Sequence, residues 1–284
     1  MRISLEQALN ILMDHVTHGK TERKTLEDCL GLVLSEDVYA LLDMPPFSRS
    51  AQDGYALCSK DSIGATGKNP VKLKVTGKIY AGDHLDVQVR PGEAVRIMTG
   101  AMVPAGADCV LRQEETDEGE DVVQIYKEVE PGCSICFKGE EYKKDHTLLH
   151  AGTKIDAAAL AVASGNGIME LPVYERVKAA VVSSGSEGVE PGTPLTPGKI
   201  YNPNTIYMKA RLSQLGARVM MTRTVGDDLG IMAEALKQAA DQAELVVTTG
   251  GVSVGQKDLT EEALLSIGAK ILFHGIAIKP GMPT

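Results

Sequence analysis

The sequence predicts a mixed α/β fold, in which a parallel, doubly wound α/β domain follows an inserted all-β domain and an N-terminal helical and linker region. Three observations favour this fold. Short apolar segments alternate with amphipathic segments after residue 175. Between residues 47 and 145, strand patterns alternate with turns that contain glycine and proline. Helical patterns flank that stretch on both sides.

The chain therefore divides into three predicted domains. Residues 1–46 and 146–174 form a discontinuous helical and linker domain, which encloses an inserted β domain of residues 47–145. The α/β domain comprises residues 175–284. A length of 284 residues, of which 43% are hydrophobic, supplies enough apolar side chains for more than one core.

The helical and linker domain is predicted to begin with a helix over residues 4–17, because Ser4 and Gln7 have the spacing of a capping box. One face of this helix carries the apolar residues Leu5, Leu9, Leu12 and Val16. A strand is expected over residues 32–41 and an Ala-rich helix over residues 154–169. Within the β domain, Val71–Val75 and Val87–Val89 alternate as strands do.

The α/β domain is predicted from its apolar strands and amphipathic helices, which together indicate a parallel sheet covered on both faces. The strands are expected at residues 177–182, 218–224, 245–249 and 270–278, and the helices at 204–215, 229–240 and 259–267. Ligands of such sheets bind at the carboxyl ends of the strands. The glycine-containing loops at 183–188 and 249–255 lie at those ends.

Charge and cysteine content limit the classes of function. The chain has 29 Lys and Arg residues against 38 Asp and Glu residues, a net charge of −9, so extended nucleic-acid binding is not expected. The N-terminus has no apolar signal core, and no segment approaches the roughly 20 apolar residues of a membrane helix. Five cysteines in a chain without a signal predict reduced thiols in the cytoplasm.

Several short motifs are ambiguous when each is taken alone. The Gly-rich segment Thr249–Gly255 allows backbone N–H groups to approach an anion, but it is also a normal tight turn. Asp258, with Glu261 three residues later, suits a helix cap better than a Mg²⁺ ligand. Asp53-Gly54 and the segment 96–108 can both be simple turns.

A possible zinc site competes with these motifs in the β domain. Cys133 and Cys136 precede His146 and His150, which resembles a zinc finger. The nine residues between the two pairs are too few for the usual spacing. We therefore expect two reduced thiols and no structural zinc.

Together, these stretches resemble the molybdenum-insertion proteins of molybdenum cofactor synthesis, a family related to the C-terminal domain of gephyrin. The matching segments occur in the family's order along nearly the whole chain: 45–56, 96–108, 139–141, 183–188, 200–204, 249–258 and 279–283. Each motif is weak by itself, whereas the ordered set is specific.

The resemblance implies a transferase, a molybdopterin molybdotransferase that inserts molybdenum from molybdate into adenylylated molybdopterin and releases AMP. It also implies Mg²⁺ as a cofactor and a homodimer whose site lies between the α/β domain and the helical and β parts. A molybdopterin adenylyltransferase is an expected partner, and neither nucleic acid nor membrane is. Two other functions stay open: a molybdopterin-binding paralogue that no longer inserts metal, and a molybdopterin adenylyltransferase.

The resemblance also assigns roles by motif position. The catalytic residues would be Asp53, Thr99, Glu187 and Asp258. Substrate would be bound by Ser183, Gly185, Gly250, Gly251, Ser253, Gly255 and Lys279. The metal would be bound by Glu141, Glu187, Asp228 and Asp258, since cleavage of a phosphoanhydride needs charge neutralisation.

Four positions depart from the family's pattern. Ser186 replaces an Asp, and Cys136 stands where the family usually has Arg. Gly275 and Met282 occupy positions that are usually basic. Fewer cations should weaken the capture of molybdate, which is a dianion. The chain also ends before further segments of the family's pattern, so we expect a C-terminally truncated form.

Overall fold

The computed structural model describes residues 2–83, 86–251, 259–279 and 281–282. Contacts divide the chain into two compact units. The first unit comprises Met1–Glu36, Gly152–Ala157 and Glu170–Thr284, and the second comprises Asp37–Ala151 and Ala158–Met169. The division into three domains with the boundaries given above stays a prediction.

In the described residues, ten strands lie between the first two α-helices, and six strands follow the second. The helices are α1 (Leu5–His15), α2 (Ala157–Gly165), α3 (Asn204–Gln214), α4 (Leu229–Gln242) and α5 (Thr260–Ser266). The strands before α2 are β1 (Thr21–Thr25), β2 (Val38–Tyr39), β3 (Arg49–Ser50), β4 (Gly54–Leu57), β5 (Val71–Ile79), β6 (Glu93–Ile97), β7 (Cys109–Arg112), β8 (Val122–Ile125), β9 (Ile135–Cys136) and β10 (Thr147–Leu149). Those after it are β11 (Glu170–Tyr174), β12 (Lys178–Ser184), β13 (Gly188–Val189), β14 (Ile200–Tyr201), β15 (Arg218–Val225) and β16 (Leu245–Thr249). None of the helices in the described ranges is long and apolar enough to cross a membrane.

The first unit begins with α1, whose predicted capping box is confirmed. The Ser4 hydroxyl accepts a hydrogen bond from the Gln7 N–H at 3.1 Å, and the Gln7 side chain accepts one from the Ser4 N–H at 2.9 Å. The predicted apolar face is not buried, since Ala8 is the one buried residue of α1. The strands β1 and β11 of this unit pair in antiparallel fashion.

The first unit also contains a parallel three-stranded sheet in the order β15-β12-β16. Ala179 and Val181 of β12 pack on one face against Leu212 of α3. Ala180 and Val182 pack on the opposite face against residues of α4 and α5. Because helices cover both faces, every side chain from Ala179 to Val182 is apolar, and the predicted parallel sheet between helical layers is confirmed.

The strand predicted over residues 270–278 is not formed. In that stretch, the structure shows an isolated parallel bridge between Ile276 and Ile3 and no ladder. An apolar run becomes a strand only when a neighbouring strand supplies hydrogen-bond partners. In this run, the Gly275 carbonyl and the Ala277 N–H, on either side of Ile276, are hydrogen-bonded to Ile3, and the pairing does not extend into a ladder within the described residues.

The second unit is built on a five-stranded sheet in the order β7-β4-β6-β5-β8. Its strand β4, which lies between β7 and β6, is buried on both faces: Tyr55 and Leu57 belong to one core cluster, and Ala56 belongs to the other. The pairing is antiparallel except between β5 and β6.

Three other predicted elements are shorter than expected. The strand expected over residues 87–89 is reduced to a single bridge at Gln88. The strand expected over residues 32–41 is reduced to bridges at Val33 and Leu34 and to β2. The helix expected over residues 154–169 is limited to α2.

Candidate functional site

Asp53 and Thr99 are 46 positions apart in the chain and are joined by two hydrogen bonds in the second unit. Asp53 directly precedes β4, and Thr99 follows β6 by two residues. The two strands pair with Gly54 opposite Ile97, which brings the two residues together. The Thr99 N–H donates to Asp53 Oδ1 at 2.7 Å, and the Thr99 hydroxyl donates to the same oxygen at 2.6 Å.

This arrangement stabilises the charged form of Asp53. The hydrogen bond from the Thr99 hydroxyl lowers the pKa of the Asp53 carboxyl most, followed by the bond from the Thr99 N–H. Burial opposes these bonds by raising this pKa, and the positive charge of Arg96 lowers it by a smaller amount than burial raises it. Asp53 is therefore ionised at neutral pH, and its second oxygen, Oδ2, takes part in neither of these bonds.

Gly54 is required where the chain enters β4. A Cβ atom at this position would lie 2.0 Å from the carbonyl oxygen of Leu111 in the neighbouring strand. No other residue fits without a shift of the backbone. The Asp-Gly pair is therefore more than a simple turn, because the glycine allows β7 to approach next to the Asp53 carboxylate.

A second group of predicted residues lies around β3 and β9. Arg49 and Ser50 of β3 pair with Cys136 and Ile135 of β9. The Glu141 N–H donates to the carbonyl oxygen of Met44 at 2.9 Å, which fixes the backbone of Glu141. The Glu141 side chain is exposed, and its Oε1 lies 3.8 Å from Arg49 Nη2.

The carboxyl edge of the parallel sheet in the first unit contains three hydroxyl groups in contact. The buried Ser183 hydroxyl lies 2.8 Å from the hydroxyl of Thr205 and 2.9 Å from that of Thr249. The sequence analysis proposed Ser183 and the Gly-rich segment that begins at Thr249 as site residues, and it did not include Thr205. Thr249 ends an apolar strand and Thr205 lies in the first turn of α3, which is the signal that could have identified them.

Gly250 and Gly251 allow the loop after β16 to contact the end of β12. Both have positive φ values, 81° and 62°. A Cβ atom at Gly250 would lie 2.3 Å from the Ser184 carbonyl oxygen, and one at Gly251 would lie 2.6 Å from the hydroxyls of Ser184 and Thr260. Gly185 is similarly restricted, since its Cβ would lie 2.7 Å from Glu187 Oε2.

Ser186, which replaces an Asp of the family's pattern, is part of a charged network. Its hydroxyl donates to Asp227 Oδ2 at 2.8 Å, and the Lys199 ammonium donates to its carbonyl oxygen. A carboxylate is therefore present beside this loop although residue 186 does not supply it. No sequence pattern indicated Asp227, because the contact joins residues 41 positions apart.

Asp228 and Lys279 take part in none of the contacts described above. Asp228 is the N-cap of α4 and accepts a hydrogen bond from the Ile231 N–H at 2.9 Å. That bond occupies one of its two carboxylate oxygens. Lys279 is exposed to solvent.

The rest of the predicted site cannot be placed in the same way. Ser253, Gly255 and Asp258 lie outside the described residues. Within the described part of the chain, no group of three or more His, Cys, Asp or Glu side chains could hold a metal ion. The five cysteines are all free thiols.

Two known protein families match this chain, one over its N-terminal part and one over its C-terminal part. Residues 3–167 match the family described as the MoeA N-terminal region, domains I and II, and residues 180–284 match a probable molybdopterin binding domain. The chain belongs to the MoeA family. The family resemblance inferred from the ordered motifs is confirmed.

Individual MoeA relatives support this assignment. The chain is 42% identical over 263 residues to molybdopterin molybdenumtransferase 2 of Mycobacterium tuberculosis, covering 91% of this chain and 65% of that protein. It is 38% identical over 282 residues to molybdopterin molybdenumtransferase of Staphylococcus epidermidis, covering 99% of this chain and 67% of that protein. A crystal structure of the molybdopterin biosynthesis moeA protein from Pyrococcus horikoshii OT3 superposes with a TM-score of 0.87 at 31% identity, over 100% of this chain and 71% of that one. The chain thus spans about two thirds of these MoeA proteins.

Proposed function

We propose that the chain acts as a molybdopterin molybdotransferase, which inserts molybdenum from molybdate into adenylylated molybdopterin and releases AMP. The Asp53 carboxylate, held ionised by two hydrogen bonds from Thr99, is the observation that carries this proposal. Support also comes from the match of both chain regions to the MoeA family.

In the proposed reaction, Asp53 acts through its second carboxylate oxygen. Thr99 fixes Oδ1, so Oδ2 keeps a set direction and accepts a proton or hydrogen bond from the group that attacks the adenylate bond. Thr99 is then the residue that orients the base. We propose Glu187 and Asp258 as the other catalytic residues.

We propose that backbone N–H groups and hydroxyls at the carboxyl edge of the parallel sheet bind the anionic substrate. In this proposal, the substrate contacts the Ser183 hydroxyl and the backbone at Gly185, Gly250 and Gly251. Ser253, Gly255 and Lys279 are further substrate-binding residues in this proposal. Because glycine has no side chain, it leaves the neighbouring backbone N–H groups accessible to the substrate.

The proposed metal ligands fit Mg²⁺ by their chemistry. Carboxylate oxygens are the hard ligands that Mg²⁺ takes, and the ion usually keeps several waters and needs only one or two carboxylates. Asp228 retains one oxygen beyond its cap bond, and Glu187 is exposed. Glu141 and Asp258 are further proposed ligands. Bound Mg²⁺ would neutralise the phosphate charge that develops during cleavage.

We further propose a homodimer in the cytoplasm, with the molybdopterin adenylyltransferase as the partner that supplies the adenylylated substrate. Five free thiols suit a reducing compartment. Sedimentation of the purified chain at micromolar concentration tests the dimer, and a monomer under these conditions would contradict it.

The proposed reaction is tested by incubating the purified chain with adenylylated molybdopterin, molybdate and Mg²⁺. We expect AMP release that depends on molybdate, together with a molybdenum-containing product detected by mass spectrometry. Tight binding of the pterin without AMP release would instead indicate a binding paralogue. Formation of adenylylated molybdopterin from ATP would indicate an adenylyltransferase.

A further inference from the structure

Arg49 lies beside the segment that holds Asp53. Its neighbour Ser50 accepts a hydrogen bond from the Gly100 N–H at 2.8 Å and donates one from its own N–H to Ala101 at 2.9 Å. Gly100 directly follows Thr99. Arg49 itself forms an antiparallel bridge with Met102. The backbone of Arg49 is therefore fixed to the same chain segment that fixes the Asp53 carboxylate.

The guanidinium of Arg49 has hydrogen-bond donors to spare. Its Nη2 lies 3.8 Å from Glu141 Oε1, beyond the roughly 2.7–3.2 Å of a hydrogen bond. No acceptor for the Arg49 guanidinium is present among the described residues, and the side chain is 43% exposed. A guanidinium carries five N–H donors in a planar fork, which matches the oxygens of phosphate and similar anions.

The fold does not need this ion pair. Exposed pairs of this kind stabilise proteins little, because solvent screens them and two long side chains lose entropy. Arg112 and Glu114 form a comparable exposed pair, also at 3.8 Å, in the same unit. Arg112 therefore offers a matched control for any effect of removing a surface arginine.

Arg49 also lies directly opposite Cys136 in the ladder of β3 and β9. Side chains at opposed positions of antiparallel strands emerge on one face, with Cβ atoms about 5 Å apart. Position 136 is where the motif resemblance expects an arginine. A guanidinium carried by Arg49 can therefore occupy the surface in front of position 136.

We propose that Arg49 binds a tetrahedral oxyanion of the substrates, either molybdate or the phosphate of the adenylate, on the face that it shares with position 136. The inference rests on the proposed function, whose substrates both carry such an anion. It adds an oxyanion-binding residue to which the family resemblance assigns no role. It also explains how the chain tolerates Cys136.

The test compares Arg49→Gln with the control Arg112→Gln and with the double variant Arg49→Gln/Cys136→Arg. Calorimetry measures the binding of molybdate alone and of AMP alone to each protein, and thermal unfolding checks that all are folded. Turnover of adenylylated molybdopterin and molybdate is measured in parallel, with separate KM values. We expect Arg49→Gln to weaken one anion about tenfold and raise the matching KM, since a charge-assisted hydrogen bond is lost.

The pattern of results separates the two sources of the anion. Weaker binding of molybdate identifies the metal oxyanion, and weaker binding of AMP identifies the adenylate phosphate. In either case Arg112→Gln should bind as the unsubstituted protein does, and Cys136→Arg should recover most of the loss. The inference would be overturned if folded Arg49→Gln bound both anions as tightly as the unsubstituted protein does. It would also be overturned if Arg112→Gln lost as much affinity as Arg49→Gln, or if the double variant recovered none of the loss.

The binding measurements also distinguish this inference from the proposed function. If the unsubstituted protein releases no AMP while Arg49→Gln binds an anion more weakly, the oxyanion role stands and the proposed reaction fails. If the unsubstituted protein releases AMP and Arg49→Gln binds and turns over normally, the reaction stands and the role of Arg49 fails.

Discussion

The Asp53 carboxylate receives both of its Thr99 hydrogen bonds on one oxygen, so a single residue fixes its direction and contributes most to its lowered pKa. Each partner alone is an ordinary turn residue in the sequence. Their meaning comes from the register of β4 and β6, which spacing along the chain does not reveal. The family motifs therefore pointed to these residues, whereas their physical relation came from the sheet.

Replacement of Thr99 by Val should shift the acidic limb of the pH–activity profile to higher pH. The hydroxyl hydrogen bond is the largest cause of the lowered Asp53 pKa, and Val keeps the shape and the N–H while removing that bond. Activity that needs ionised Asp53 is lost as pH falls through its pKa, so a higher pKa moves the acid limb to higher pH. The pH profile of AMP release measures this shift.

Thr116→Val is a matched control, because the Thr116 hydroxyl donates to the Gln113 carbonyl oxygen and not to a carboxylate. Its acid limb should coincide with that of the unsubstituted protein. Coinciding limbs for Thr99→Val as well would show that Asp53 ionisation does not control the rate.

Replacement of Gly54 by Ala should destabilise the second unit by about 1–3 kcal/mol, the usual cost of forcing an extra group into packed surroundings. The added Cβ would lie 2.0 Å from a backbone oxygen of β7, which cannot move aside as a flexible side chain can. Denaturant unfolding measures the loss. Gly77→Ala in β5 should cost nothing, because no atom lies within 4 Å of its Cβ position.

At the scale of elements, hydrophobic periodicity predicted the bounds of the strands in the parallel sheet accurately. It predicted the elements outside that sheet poorly. Strands β12, β15 and β16 lie within a residue or two of their predicted bounds, since buried strands have only apolar side chains on both faces. The apolar run over residues 270–278 pairs with a neighbouring segment only through the bridge between Ile276 and Ile3 in the described structure, and composition alone could not show this. Contacts such as Ser186 with Asp227 were missed for the same reason, as they depend on how loops meet.

The cap of α4 offers a test of whether Asp228 has a role beyond the fold. Asp228→Asn keeps an oxygen that accepts the Ile231 N–H bond, because Asn caps helices about as well as Asp, so stability should change by less than about 0.5 kcal/mol. If the free oxygen binds Mg²⁺, loss of the charge should slow AMP release about tenfold or more and raise the Mg²⁺ concentration needed.

Asp228→Ala completes the comparison, since it should lose about 1 kcal/mol of stability through the missing cap. An Asn variant with normal AMP release and normal Mg²⁺ dependence would limit Asp228 to capping α4.

At the scale of the whole molecule, shifted carboxyl groups are concentrated in the second unit. Asp43, Asp53, Asp108 and Asp117 all have lowered pKa values, and all lie between residues 37 and 151. Burial acts to raise the pKa of Asp108, but hydrogen bonds from the Ser59 N–H and hydroxyl, at 2.6 and 2.8 Å, outweigh it. Among the described residues, we therefore expect acid to destabilise the second unit more than the first.

Buried thiol groups affect the free energy of unfolding at the alkaline end of the pH range. Burial, followed by the charge of Asp108, raises the pKa of the Cys109 thiol to about 12. Burial also raises the pKa of Cys29 in the first unit. Both groups favour the folded state while they are neutral, because an unfolded chain lets them ionise near their usual pKa of about 8.5.

The free energy of unfolding should therefore be highest between about pH 4 and pH 8.5 and fall on both sides. A carboxyl with a lowered folded pKa contributes stability above its unfolded pKa of about 3.9 and loses it as pH falls through the folded value. A thiol with a raised folded pKa contributes fully below about 8.5, and Cys109 loses its contribution as pH rises towards about 12. Urea unfolding across the pH range measures the profile. Asp108→Asn should flatten its acid side and Cys109→Ala its alkaline side, and a profile left unchanged by both would contradict this assignment.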